Sequence, residues 1–87
     1  MKNTIELTIA GTDFKFNVTP TAHGDYIDAV SRGTVSAASH NFVMRTIDDS
    51  QKEQLKKLLE DSPGASLQIA GELRTEYSPT LAITVKK

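Results

Sequence analysis

Two alternating segments with a glycine between them restrict this chain more than anything else in it. Ile5, Leu7 and Ile9 alternate with Glu6 and Thr8, and beyond Ala10-Gly11-Thr12-Asp13 the residues Phe14, Phe16 and Val18 alternate with Lys15 and Asn17. Period-two alternation is the pattern of a strand with one wet and one dry face. With Gly11-Thr12 as a two-residue type II′ turn, glycine supplying the positive φ, Ile9 faces Phe14, Leu7 faces Phe16 and Ile5 faces Val18. A one-residue slip would set apolar against polar along the whole ribbon, so the pattern excludes it. A lone hairpin is marginally stable in water, and the rest of the chain must cover its apolar face.

Helices follow that can supply the cover. Thr19-Pro20-Thr21 ends the second strand and offers a cap to a short helix whose stripe is Tyr26, Ile27 and Val30, with Gly33 as terminator. A second helix is expected over residues 35–47. Ser50 and Glu53 stand at capping-box spacing ahead of a third, residues 51–60, with Leu55, Leu58 and Leu59 as its buried stripe. On its wet side Glu53 is placed to pair with Lys57, and Lys56 with Glu60. Ser62 as N-cap and Pro63 at the first helical position open a fourth helix, closed by Ser78-Pro79, with Ala65, Ile69, Leu73 and Tyr77 inside. Gly71 within it costs roughly 1 kcal/mol relative to alanine, for which close approach of another backbone is one explanation and drift another. Leu81, Ile83 and Val85 alternate again and read as a last strand joining the hairpin in a three-stranded sheet. The expected fold is therefore α+β, a single domain over residues 1–87. An N-terminal β-hairpin plus a C-terminal strand form a small sheet packed against about four helices.

Charge and composition narrow the functional classes. Lys+Arg 10 against Asp+Glu 11 leaves a formal charge of −1, with no long-range pull on phosphate backbones or anionic lipid. Lys52, Lys56 and Lys57 form a basic group, but Glu53, Glu60 and Asp61 dilute it. Neither nucleic acid nor membrane is expected as a partner. With no cysteine there is neither a disulfide framework nor a thiolate metal site. Glu6 interrupts the stretch a signal peptide would need, and no segment reaches membrane-spanning length, so a soluble, unexported chain is expected. The two histidines, His23 and His40, match no metal signature with Asp25 or Asp28. Asp48-Asp49 precedes a helix, where acids complement the dipole rather than form a catalytic pair. No nucleophile elbow or phosphate-binding glycine loop occurs. No enzymatic activity, cofactor or metal is expected.

Surplus apolar surface points to another polypeptide instead. In the second helix, at roughly 100° per residue, Val35, Ala38, Phe42 and Thr46 share one face while Ala37, Val43, Met44 and Ile47 fan out over well over half the circumference. Two arrangements satisfy this: a central helix wrapped on all sides, or a helix with Phe42 in the core and the remainder turned to a partner. On the second reading the partner-binding residues are Ala37, His40, Val43, Met44 and Ile47, methionine's flexibility suiting an adaptable contact.

Several runs carry a family resemblance: Thr4-Ile-Glu-Leu-Thr-Ile-Ala-Gly-Thr-Asp-Phe14, His40-Asn-Phe-Val-Met-Arg-Thr-Ile47, Lys52-Glu-Gln-Leu-Lys-Lys-Leu-Leu59, and above all Pro63-Gly-Ala-Ser-Leu-Gln-Ile-Ala-Gly-Glu-Leu73 with Glu76-Tyr-Ser-Pro79 and Ile83-Thr-Val-Lys86. Together they resemble the small tail assembly chaperones of tailed phages and prophages, over nearly the whole chain; residues 23–36 are the least characteristic. The resemblance implies a non-enzymatic protein of the infected host's cytoplasm, absent from the finished virion. It would coat the hydrophobic helical tape measure protein and keep it soluble until tail tube subunits polymerise around it. Tail tube protein and further copies of the chain are the other implied partners. Many such chaperones also have a longer frameshifted form, and Lys86-Lys87 could be encoded by an adenine-rich slippery stretch. The rival class is a small self-associating or nucleic-acid-binding regulatory module.

Overall fold

The computed structural model describes residues 3–79 and 81–86; Met1, Lys2, Thr80 and Lys87 lie outside them, and with them part of the readings of the two termini. Strands β1 (Thr4–Ile9) and β2 (Thr12–Asn17) form an antiparallel hairpin. Helices α1 (Pro20–Ser31), α2 (Val35–Thr46), α3 (Lys52–Asp61) and α4 (Ala65–Tyr77) follow, with one 3-10 turn, Asp49–Gln51, ahead of α3. The class is α+β, with the hairpin and the four helices in the expected order.

The hairpin register differs from expectation by two residues. Leu7 faces Phe14, Ile5 faces Phe16, and Ile9 lies opposite Thr12. The turn residues are Ala10 and Gly11, both at positive φ (50° and 83°), the combination of a type I′ turn, whose twist suits the flanking strands. A two-residue displacement keeps every side chain on its expected face, so alternation alone could not choose between the registers. Ile5, Phe14, Phe16 and Val18 are buried, whereas Leu7 and Ile9, nearer the tip, are only partly covered.

The two edges of the hairpin are treated differently. Along β2, Phe16 bridges Ile47, and the Asp48 N–H donates to the Lys15 carbonyl at 2.9 Å. The Gln51 side-chain amide accepts from the Lys15 N–H and donates to the Asp13 carbonyl, both at 2.8 Å. A glutamine side chain thus stands in for a neighbouring strand. Among the described residues, no backbone hydrogen bond leaves the outer edge of β1.

The expected C-terminal strand does not form. Residues 81–86 carry no regular structure, the sheet is two-stranded, and Leu81, Ile83 and Val85 are 74%, 84% and 78% exposed. Alternation makes a segment competent to pair, but a strand exists only where an edge receives it, and this segment lies along none. The radius of gyration, 13.7 Å, exceeds the about 12 Å expected for a compact chain of this length, and the longest dimension is 51 Å against 26 and 21 Å. The tail stands off the body.

The core gathers around α2, which packs on α1, α3, α4 and β2. At the start of α1 the Thr19 hydroxyl accepts from the Ala22 N–H at 3.1 Å, and Gly33 (φ 88°) follows its end. The expected Ser50–Glu53 capping box is replaced: the Asp48 carboxylate accepts from the Ser50 N–H at 3.2 Å, and Gln51, drawn to the hairpin edge, stays in the 3-10 turn. Helix α4 starts later than the Ser62-Pro63 pattern predicts. Ser62 caps the end of α3, and its carbonyl accepts from the Ala65 N–H at 3.0 Å. The inner stripe of Ala65, Ile69, Leu73 and Tyr77 is buried as expected, joined by Ala70. A Cβ at Gly71 would meet nothing within 4 Å, so close backbone approach does not explain that glycine. The anticipated pairs Glu53–Lys57 and Lys56–Glu60 are not formed. Among the described residues the ion pair within reach is Asp25–Arg45, at 2.6 Å and half exposed, a class of contact contributing about 0–1 kcal/mol.

Candidate partner-binding site

Helix α2 settles the choice between its two possible arrangements largely in favour of the central one. Val43 is 0% exposed and Ile47 4%, alongside buried Ala38, Ser39, Phe42 and Thr46. Both had been expected at a partner surface. They are instead core, because α1, α4, α3 and β2 each take a sector of the helix and Ile47, at its C-cap, is drawn into the bridge with Phe16. Of the expected set, Ala37 and His40 are exposed and Met44 is partly buried.

His40 and Met44 do come together, in a groove between α2 and α3. The facing wall is Lys52, Glu53, Lys56, Leu59 and Glu60, and the open volume is about 560 Å³. Met44 and Leu59 provide apolar floor, while two lysines and two glutamates alternate along the rim. Ala37 lies outside it. An apolar floor with a mixed-charge rim suits one face of an amphipathic helix, and a methionine in the floor can repack around different side chains. The α3 wall was missed from sequence. Its signal is the i, i+4, i+7 spacing of Lys52, Lys56 and Leu59, which reads as an ordinary boundary between wet and dry faces until α2 is placed beside it.

On the side where α1 and α4 meet α2, His23 packs with its ring centroid 5.0 Å from that of Tyr77 and 6.4 Å from that of Phe42. Its buried Nε2 has no hydrogen-bond partner. Burial, and secondarily the nearby Arg74 charge, holds its pKa below the ordinary value of 6.5. The unfolded chain therefore binds the proton more readily than the folded one. Stability contributed by neutral His23 is complete above pH 6.5 and is lost as pH falls from there towards the lowered folded-state value. Replacement by phenylalanine keeps the ring and removes both the titration and the unpaired nitrogen. His23→Phe should gain about 1 kcal/mol, and thermal melts across the acidic range should show a weaker loss of stability on acidification than the unmodified protein; parallel curves would contradict this account.

Comparison with known proteins adds the family. A solved structure of an uncharacterised protein from Bacillus stearothermophilus shares the fold, with a TM-score of 0.77 at 20% identity, covering 95% of this chain and 86% of that one. No curated protein sequence matches the chain. The profile of phage tail assembly chaperones matches residues 5–87, taking in the hairpin, all four helices and the tail. The chain thus belongs to the phage tail assembly chaperone family.

Proposed function

We propose that this chaperone binds the helical tape measure protein through the groove between α2 and α3, in the host cytoplasm, and holds it soluble until tail tube subunits polymerise around it. The observation that carries the reading is an open groove with an apolar floor of Met44 and Leu59 and a charged rim, in a member of this family. The client that the family resemblance implies is long, helical and hydrophobic. Individually weak contacts in such channels, repeated by many copies along one client, give a tight but releasable coat. Catalysis has no part in this role, and the chaperone leaves before the virion is complete.

Co-expression with a tape measure fragment tests it. The fragment alone should sediment with insoluble material; with the chaperone it should move to the soluble fraction and co-purify. A client pellet unchanged by abundant folded chaperone would sink the proposal, and strongly salt-dependent retention on DNA would favour a regulatory module instead.

A further inference from the structure

Three features are left unpartnered in this chain. The outer edge of β1 is open, whereas that of β2 is sealed by Ile47, Asp48 and Gln51. Beside the open edge runs a second groove, about 390 Å³, between β1 and the first turns of α4, with the half-covered Leu7 and Ile9 on one wall and Ala65 and Ile69 on the other. Finally, the tail presents Leu81, Ile83 and Val85 to solvent at strand spacing.

We infer that the tail of one copy of this chain adds as a third strand to the outer edge of β1 in a second copy. Seated there, its backbone pairs with the free N–H and C=O groups of β1. Leu81, Ile83 and Val85, all on one face, turn into the groove and complete the burial of Leu7 and Ile9, while Ala82, Thr84 and Lys86 face water. Charge favours the fit: Lys86 is basic, and Glu6 on β1 and Glu72 on the groove rim are acidic.

A second copy is favoured over the chain's own tail by where that tail lies. The groove centres on Gln68 and Ile69, about 12 Å back along α4 from Tyr77 at 1.5 Å per residue, a distance that about four extended residues cover. The chain's own tail nevertheless does not double back along α4: Leu81, Ile83 and Val85 stay exposed and the molecule is 51 Å long. Standing clear of its own body, the tail is presented to another molecule. The contact is heterologous, tail to edge, so successive copies add in one direction unless two chains exchange tails reciprocally. It involves neither His40 nor Met44 and is independent of the client's identity.

Sedimentation velocity of the full chain without client, over a concentration series, tests the assembly, together with Ile83→Glu. Because Ile83 is 84% exposed, the variant should keep the unmodified melting curve at concentrations too dilute for assembly. The unmodified chain should assemble beyond monomer with rising concentration, and Ile83→Glu should weaken that assembly by about tenfold or more. Isotope-labelled Ile83→Glu chains, whose edge is intact, should show amide shifts at residues 7–10, 68 and 72 on addition of unlabelled unmodified chain, and none with unlabelled Ile83→Glu. A chain that stays monomeric throughout, amide shifts confined to the α2–α3 groove, or β1 amides already protected in the monomer by its own tail would each overturn the inference. With no client present, none of these results bears on tape measure binding.

Discussion

Truncation of Phe42 to alanine is expected to lower the unfolding free energy by about 3–5 kcal/mol, against a total of about 4–13 kcal/mol for a chain of this length. Phe42 is 2% exposed, stacks on Tyr26 with centroids 4.6 Å apart and planes 15° from parallel, and meets the edge of His23. Helix α1 depends on those contacts, since Ala22 is its one buried residue. An open hollow of about 260 Å³, lined in part by Tyr26, Ala38 and Phe42, already lies between α1 and α2. Loss of the ring would enlarge it and admit water rather than leave a dry cavity. Urea denaturation should show the reduced stability, and hydrogen exchange should place the first loss of protection in α1. A loss below about 1 kcal/mol, or exchange that rises first in the hairpin, would show that α1 is held elsewhere.

Met44→Glu should have the largest effect on function with a small effect on the fold. Met44 is partly buried at a groove open to water, so a carboxylate there can reach solvent, and the destabilisation should stay below about 1.5 kcal/mol. Client binding should fall by about 30-fold or more, the factor attached to a central apolar anchor worth about 2 kcal/mol. In co-expression the tape measure fragment should return to the pellet while the variant remains soluble and folded. Val43→Glu, one residue away, provides the contrast: its side chain is 0% exposed, and a charge there should unfold the protein. A folded Met44→Glu that still solubilises the client would remove the groove from the mechanism, and an unfolded one would make Met44 part of the core.

The pattern of apolar residues carried local structure well and tertiary placement poorly. Alternation identified both strands and which face of each is dry, but it is invariant to a shift of two residues. The observed register even sets Ala10 at positive φ, against the local preference for glycine first in a two-residue turn, so local turn chemistry does not predict it. Periodicity found four residues of the buried stripe of α4 but neither Ala70 nor the helix start, because Ser62 is occupied in closing α3. The same kind of alternation at residues 81–86 produced no strand, since pairing depends on an available edge and not on the segment alone. For the site, helical spacing brought His40 and Met44 to one side of α2 but could not say which sectors neighbouring elements would cover, and so it wrongly left Val43 and Ile47 outside. The α3 wall of the groove needed the crossing of two helices, which no single segment encodes.

The Gln51 contact has a mechanical consequence. Its two hydrogen bonds fasten the start of α3 to β2 one residue before Lys52, the first residue of the groove wall. That end of the wall cannot swing outward without stripping both bonds from the hairpin. The other end, at Leu59 and Glu60, carries no comparable tether to the hairpin. Leu59 is instead held in the core, so on the proposed reading a thicker guest meets a wall fixed at both ends, and room for it must come from the exposed side chains of Lys56 and Glu60 and from Met44 rather than from a swing of the helix.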